Sequence, residues 1–400
     1  MLNFFNPRSI ILFICILQGL VFAALLSYRG LKKQSTADYW LAALLVLLCL
    51  ENVSHFIGFA GVYDAYPNLS YFPFDNPFAV GAVIFLYVLT LTNSERNFTS
   101  QDFLLFIPAL TYYCYRFLVF LQPISFKNWF DSTVHVPFVM PVLTIMLVIS
   151  NAVFLSLSIR HYWRYRVWLN ANFSNTEKIK FDWLRNFLYL FAGVLLCSAI
   201  FEMTNSFIVH LSYRQYFWWH VIAALLTYYL AIAGYLRSES IKLEFTSAEA
   251  QEDSPIVLTG STEIEDRKAL LKEEELRKWK DRLKRVMAMK KPYLNPQVTL
   301  VGLSKELGIS SNILSFVINS GFEKNFNDFI NEYRIAEVKA KLSSTASQNL
   351  TLLGIAFACG FNSKATFNRA FKKFTGLSPK EYQDQLIDVK TLENRAQITH

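Results

Sequence analysis

The sequence predicts an all-α chain, with a seven-helix transmembrane bundle at its N-terminus and a domain with two helix-turn-helix motifs at its C-terminus. Three observations predict this fold class. Long apolar segments fill residues 1–236 and are absent from the rest of the chain. Basic residues are distributed among the loops in the way that an odd number of membrane spans requires. Two helix–glycine–helix patterns follow one another between residues 290 and 382.

Composition divides the chain at residue 236. Hydrophobic residues make up 53% of the 400 residues and the mean hydropathy is +0.26, which is too apolar for a water-soluble protein of this length. Residues 1–236 carry 14 of the 39 basic residues, so most of the charge lies in the C-terminal part. Residues 290–382 hold 12 basic and 6 acidic residues. Such a concentration of positive charge favours binding to nucleic-acid phosphates.

Seven apolar segments are long enough to cross a membrane, which takes about 20 residues of helix. The first has no small-residue cleavage site before Arg29 and is expected to be a retained span rather than a signal peptide. The third contains Pro73, Asp75 and Pro77, so a broken or re-entrant element is expected there. The predicted spans are residues 9–29, 39–61, 71–92, 103–121, 136–159, 184–210 and 217–236.

Two basic loops predict the orientation of the bundle. The loop after the first span carries Arg29, Lys32 and Lys33, and the loop after the fifth carries six basic residues between Arg160 and Arg185. Both loops should face the cytoplasm under the positive-inside rule. Seven spans satisfy this rule with the N-terminus outside and the C-terminal domain in the cytoplasm.

A few ionisable residues interrupt the predicted spans. They are Glu51, His55, Arg116, Glu202 and, near the broken third span, Asp75. Because charged groups are costly in lipid, such residues usually face a bundle interior or a water-filled pocket. We therefore take Glu51, His55, Arg116 and Glu202 as candidate ligand-sensing residues, with Arg116 pairing with Glu51 or Glu202. The alternative is a structural ion pair or a position near the membrane interface.

No pattern indicates catalysis, a metal site or a cofactor. The five cysteines have neither C-x-x-C nor metal-ligand spacing, so they are expected to be small apolar residues without disulfide bonds. The chain also lacks the H-E-x-x-H and G-x-S-x-G motifs of zinc proteases and serine hydrolases. We expect no enzymatic activity.

The chain becomes polar after the last predicted span. Residues 237–262 have no sustained period and are expected to form a flexible linker. In the charged helix that follows, Leu276, Trp279, Leu283 and Val286 recur at 3-4-3 spacing. This stripe forms either a short dimer seam or a docking face for the next domain, and its shortness favours docking. The predicted domains are 1–236 (transmembrane), 237–262 (linker), 263–289 (connecting helix), 290–382 (double helix-turn-helix) and 383–400 (tail).

The first helix-turn-helix motif is predicted between residues 299 and 319. Residues 299–307 form an amphipathic helix, Gly308 allows a left-handed turn, and Ser310 or Ser311 caps the second helix. The expected buried face of the second helix is Ile313, Leu314, Val317 and Ile318. The candidate DNA-contacting residues on its outer face are Ser311, Asn312, Ser315, Phe316 and Asn319.

The second motif repeats this pattern. Gly360 turns the chain, and Asn362 or Ser363 caps the following helix. We expect the first helix of this motif to be built from Leu353, Ile355, Ala356 and Phe357, and the core to contain Phe361 and the inward-facing Phe367, Ala370, Phe371 and Phe374. The candidate DNA-contacting residues are Asn362, Ser363, Lys364, Thr366, Asn368, Arg369, Lys372 and Lys373. A helix over residues 327–342 lies between the motifs and is long enough to hold them at a fixed distance.

The run GFNSKATFNRAFKKFTGLSPKEY, residues 360–382, resembles the C-terminal signature of the AraC/XylS family of bacterial transcription regulators. The resemblance covers under a quarter of the chain. It implies that both recognition helices enter successive major-groove segments about 34 Å apart. It also implies that Lys364 and Arg369 contact bases or phosphates and that Arg334 braces the linker helix. Phe316 departs from the family, where a polar or basic residue is common; it either contacts a thymine methyl group or leaves the second motif dominant.

Together these features predict a membrane-embedded, one-component transcription regulator of the bacterial inner (cell) membrane. The expected partners are double-stranded DNA at a promoter or operator, membrane lipids, a small lipophilic ligand and a second copy of the chain. A signal sensed by the bundle would reach the DNA through the seventh span and the linker. Two alternatives remain: a transporter or enzyme with a regulatory DNA-binding tail, and an anchor without a sensing role.

Overall fold

A computed structural model describes residues 6–93, 95–177, 179–207, 217–236, 262–343 and 350–386. These residues form helices joined by turns and contain no β-strand apart from one isolated bridge, so the predicted all-α class is confirmed. Two compact units are present, Met1–Tyr165 with Phe181–Glu249, and Arg166–Lys180 with Ala250–His400. Nearly all of the predicted linker and most of the predicted tail lie outside the described residues.

The first unit is built from apolar helices. In chain order they are α1 (Pro7–Lys33), α2 (Thr36–Phe59), α3 (Pro77–Thr92), α4 (Ile107–Phe120), α5 (Met140–Asn172), α6 (Asp182–Phe207) and α7 (Phe217–Tyr235), and the last turns of α5 belong to the second unit. Four helical segments of the described chain are long and apolar enough to cross a membrane: Pro7–Lys33, Thr36–Phe59, Ser100–Phe120 and Ile124–Asn172. The apolar helices Pro77–Thr92 and His220–Tyr235 are shorter.

The break expected in the third predicted span, residues 71–92, lies at its start. Residues 71–76 are not helical, and α3 begins only at Pro77. The reason is local, because Pro73 and Pro77 lack backbone N–H donors and disfavour a helical residue before them. Tyr71 has a positive φ of 65°. The side chain of Asn76 donates a hydrogen bond to the carbonyl oxygen of Ala109 at 2.8 Å, which attaches this non-helical segment to α4.

One ion pair joins three helix ends of the bundle. Nε and Nη2 of Arg29, near the end of α1, donate to the carboxylate of Asp38 in the first turn of α2 at 2.9 and 2.8 Å. Nη2 also donates to the carbonyl oxygen of Gly234 at 3.0 Å, close to the end of α7. A cation is favoured beside these carbonyl groups because they form the negative end of the helix dipole. Asp38 is 1% exposed, so this pair is part of the interior of the bundle.

The second unit is built from amphipathic helices. They are α8 (Thr262–Lys290), α9 (Leu300–Leu307), α10 (Ser311–Phe322), α11 (Phe326–Ser343), α12 (Leu352–Ala358), α13 (Lys364–Thr375) and α14 (379–386). Two hydrophobic cores lie along this unit, and α11 is shared between them. Its Phe329 and Ile330 belong to the first core, whereas Ile335 and Val338 belong to the second.

The apolar stripe of α8 packs on the domain that follows it. Leu283 is buried in the first core, and Leu276, Trp279 and Val286 pack against that core. Of the two alternatives for this stripe, docking is the one found. Burial of a leucine side chain contributes roughly 2 kcal/mol to stability, so α8 is a structural element of the unit rather than a free connector.

Two turn glycines of this unit both require a positive φ but differ in their surroundings. Gly308 has φ +69°, and an added Cβ would meet open space. Gly360 has φ +90°, and an added Cβ would collide with the carbonyl oxygen of Tyr293 and lie 2.9 Å from Nε of Arg334. The backbone of the second motif therefore passes directly against the turn that follows α8.

We predict that Gly360→Ala destabilises the second unit by about 2–5 kcal/mol, since backbone strain and a collision with backbone atoms add together. Gly308→Ala is the matched control and should cost about 1–2 kcal/mol from strain alone. Hydrogen exchange of peptides from residues 290–386 in the detergent-solubilised protein measures the difference. Equal protection in the two variants would contradict the close packing at Gly360.

Candidate nucleic-acid interface

The first helix-turn-helix motif consists of α9 and α10. The hydroxyl of Thr299 caps α9 by accepting a hydrogen bond from the N–H of Gly302 at 3.1 Å, and Gly308 ends the helix in a left-handed conformation. Ser310, one of the two predicted caps, accepts from the N–H of Ile313 at 3.3 Å and starts α10. These caps fix where the recognition helix begins, and the N-terminal residues of such a helix are the ones that reach base edges.

The second motif, α12 and α13, is built in the same way. Thr351 caps α12, and its hydroxyl accepts from the N–H of Gly354 at 3.1 Å. Ser363, rather than Asn362, caps α13 by accepting from the N–H of Thr366 at 3.1 Å. Gly376 ends α13 with a φ of +78°. The two motifs thus share one local design, an N-cap hydroxyl on each helix and a glycine in the turn.

A buried guanidinium joins the turn after α8 and the helix α11 to the second motif. Arg334 on α11 is 1% exposed. Its Nε donates to the carbonyl oxygen of Tyr293 at 2.8 Å, and its Nη2 donates to that of Asn295 at 2.9 Å. The guanidinium carbon lies 5.7 Å from the ring centroid of Phe361 in the second motif. Burial lowers the pKa of Arg334 to about 10, which still leaves the side chain charged at neutral pH. The prediction that Arg334 braces the linker helix agrees with this geometry.

A second polar contact reinforces the same junction. The carboxylate of Glu337 on α11 accepts from Nζ of Lys291 and from the hydroxyl of Tyr293, both at 3.0 Å. Burial alone would raise the pKa of Glu337, but these two hydrogen bonds outweigh it and hold the pKa below its ordinary value. The turn after α8 is therefore attached to α11 at Glu337 as well as at Arg334.

The predicted contact residues of α10 form a mixed surface. Asn312, Phe316 and Asn319 are exposed, while Ser311 and Ser315 are half-buried. The ring of Phe316 is 46% exposed, as contact with an apolar base edge would require. The amide of Asn319 donates to the hydroxyl of Ser315 at 3.4 Å, so these two side chains orient each other.

On α13 the predicted residues fall into two groups. The exposed residues are Asn362, Lys364, Asn368, Arg369, Lys372 and Lys373. Lys373 already pairs with the carboxylate of Asp328 at 2.7 Å. Ser363 and Thr366 are half-buried, and their hydroxyls are 3.1 Å apart. Lys364, Arg369 and Lys372 therefore form the cationic part of this surface.

One residue that was predicted to be buried is exposed instead. Ile313 is 43% exposed, although it was assigned to the buried face of α10. On a helix of 3.6 residues per turn, it sits at the edge of the face formed by Leu314, Val317 and Ile318. Apolar character alone misassigned it, because the period of the helix determines the buried face.

Of the two pairings expected for Arg116 in the bundle, only the one with Glu51 falls on described side chains, and it is not formed. His55 stacks on His220 with ring centroids 3.4 Å apart. Arg116 lies over the rings of Tyr71 and Tyr112, and no ion pair of the described residues joins it to Glu51. The side chain of Glu202 lies outside the described residues.

Comparison with known proteins identifies the type of domain formed by part of the second unit. A family model described as a helix-turn-helix domain matches residues 303–385, which contain most of both motifs. These residues are an AraC-type helix-turn-helix domain. No solved structure matches the chain.

The AraC-type domain is also similar to parts of longer regulators. Uncharacterised HTH-type transcriptional regulators of Staphylococcus aureus strains COL and MSSA476 are each 34% identical to the chain over 91 residues. The match covers 23% of this chain and only 12% of each relative. The similarity is therefore limited to this domain and does not extend to the rest of these regulators.

Sequence reasoning missed one part of this unit. Residues 166–180, which were assigned to the transmembrane domain, belong to the same compact unit as the AraC-type domain. Ser174 is completely buried there, and the carboxylate of Glu177 accepts a hydrogen bond from the hydroxyl of Thr366 at 3.1 Å. The only available signal was a short polar run between basic residues, which is ordinary for a loop.

We predict that Arg369→Ala weakens operator binding by about 1–3 kcal/mol, because an exposed arginine of the recognition helix is lost. Lys339→Ala removes one positive charge from the exposed side of α11 and is the control, with a smaller expected loss. Fluorescence anisotropy of a labelled operator gives both dissociation constants. Equal effects of the two substitutions would remove Arg369 from the set of specific contacts.

Proposed function

We propose that the chain is a membrane-embedded, one-component transcription regulator that binds specific DNA through two helix-turn-helix motifs. The observation that carries this proposal is the presence, in one chain, of an AraC-type domain and of helices whose outward faces are apolar. Phe13, Leu110 and Ile145 on α1, α4 and α5 are 50%, 62% and 60% exposed. Contiguous apolar surface of this extent is unfavourable in water and favourable in lipid.

The proposed orientation in the inner membrane follows from charge. The basic residues near Arg29 and between Arg160 and Arg185 belong on the cytoplasmic side. Seven spans would then place the N-terminus outside and the AraC-type domain beside the chromosome. In this arrangement the DNA must come to the membrane, and lipids are a permanent partner of the bundle.

The proposed signal is a small lipophilic ligand or another event in the bundle. His55, Arg116, Glu51 and Glu202 are the candidate residues that would respond to it. A ligand needs only to favour one of two conformations of the bundle to change the domain that follows. A second copy of the chain is a proposed partner, and it would use a surface other than the apolar stripe of α8, because Leu283 is buried within the unit.

DNA selection with the complete protein in lipid nanodiscs tests the proposal. We expect enrichment of one operator sequence from a random pool, with an association constant that falls steeply as salt increases, because exposed cations of α13 replace the counterions of DNA. Random DNA of the same length is the control. Binding without preference for the selected operator, or binding that is insensitive to salt, would contradict the proposed function.

One observation favours the alternative of a transporter with a regulatory tail. The non-helical segment before α3 and the 16-residue length of α3 make this a discontinuous membrane element, and such elements form substrate sites in many transporters. Uptake of a lipophilic compound that binds the bundle separates the two functions. It is measured in proteoliposomes with and without the protein. Transport that saturates with substrate would favour the alternative.

A further inference from the structure

The loop between α5 and α6 is a structural part of the AraC-type unit. We call residues 173–181 the α5–α6 loop; Lys178 is the one of these residues that the structure does not describe. Residues 166–180 belong to the unit that contains both helix-turn-helix motifs. The loop contacts this unit at two places, one beside α9 and α11 and one at the start of α13.

The first contact is a set of buried hydrogen bonds. Phe173 forms an antiparallel bridge with Thr299, the cap of α9. The hydroxyl of Ser174 donates to the carbonyl oxygen of Val298 at 2.8 Å. The amide of Asn327 on α11 donates to the carbonyl oxygens of Phe173 and Ser174 at 3.1 and 2.9 Å. Nη2 of Arg334 donates to the hydroxyl of Ser174 at 3.3 Å. The loop thus supplies partners to the groups that join the two motifs.

The second contact lies on the second recognition helix. The hydroxyl of Thr366, in the first turn of α13, donates to Oε2 of Glu177 at 3.1 Å. The positive end of the helix dipole stabilises a carboxylate at this position. The same end of a recognition helix is where DNA phosphates and base edges are bound. Glu177 is the only acidic residue between Arg160 and Lys180, so the single carboxylate of this basic stretch is placed where a phosphate would bind.

We propose that the α5–α6 loop is an intramolecular ligand that competes with DNA for the second recognition helix. The inference rests on the proposed function and adds its regulation. The carboxylate of Glu177 and a DNA phosphate carry like charges and repel each other, so both cannot occupy the start of α13. The protein therefore has a docked state with low affinity for DNA and an undocked state with high affinity.

The position of the loop in the chain makes this contact a route for a signal. The loop is covalently continuous with α5 and α6, so a ligand that changes the distance or angle between these helices changes the free energy of docking. This route is shorter than the predicted one through α7 and the linker. It acts on Thr366 directly and needs no change in the oligomeric state of the protein.

Neutralising the carboxylate separates competition from simple bracing. In the complete protein in nanodiscs, Glu177→Gln should bind the operator about five- to tenfold more tightly than the wild type, because the repulsion is removed. Glu275→Gln changes the net charge equally at an exposed position of α8 and should leave the affinity unchanged. If the loop only braced the domain, Glu177→Gln would leave the affinity unchanged or lower it, and either result would overturn the inference.

Locking the loop in place tests the docked state directly. Residues 173 and 299 face each other across an antiparallel bridge, a geometry that a disulfide can span. The double variant Phe173→Cys with Thr299→Cys, once oxidised, should lose at least about tenfold in operator affinity and regain it on reduction. Each single variant is a control and should not respond to the reductant. Equal affinity of the oxidised and reduced double variants would contradict competition.

The two proposals fail in different ways in these experiments. If neither the wild type nor any variant prefers the operator over random DNA, the proposed function is wrong and the inference falls with it. If the wild type binds the operator specifically and the Glu177 and locked variants bind equally well, only the competition is wrong.

Discussion

The second unit depends on one buried cation, the guanidinium of Arg334. A charge in the interior is tolerated only when its donors are paired, and a hydrogen bond to a charged group contributes about 1.5–3 kcal/mol. The acceptors come from the turn after α8, from α11 itself and from the α5–α6 loop. The ring of Phe361 lies beneath the guanidinium and belongs to the second motif. One side chain therefore holds together the parts that set the relation between the two recognition helices.

The same network explains why the α5–α6 loop matters for function. Asn327 and Arg334 hold the backbone and the hydroxyl of Ser174, and this places Glu177 three residues later beside Thr366. A loop that is tied to the junction of the motifs and also covers the start of α13 is able to connect a membrane event with DNA binding. The end of α7, held by Arg29, is a separate starting point for the linker route, whose residues lie mostly outside the described chain.

Local chemistry made much of this unit predictable from sequence. The caps at Ser310 and Ser363, the turns at Gly308 and Gly360, and the inward Phe367 and Phe371 follow from interactions within a few residues. Ile313 was misassigned because hydrophobicity was weighed above helical period. The docking of residues 173–177 was not predictable, because its hydrogen bonds join residues more than 120 positions apart. The break before α3 was predictable because Pro73 and Pro77 disfavour a helix there.

We expect the Arg334 junction to hold both recognition helices as one rigid pair on the DNA. Hydroxyl-radical footprinting of the complete protein on its selected operator tests this claim most directly. We expect two protected segments on one face of the duplex, with centres about 10 base pairs apart, one for each motif. A single protected segment, or two segments whose spacing varies between operators, would contradict the claim.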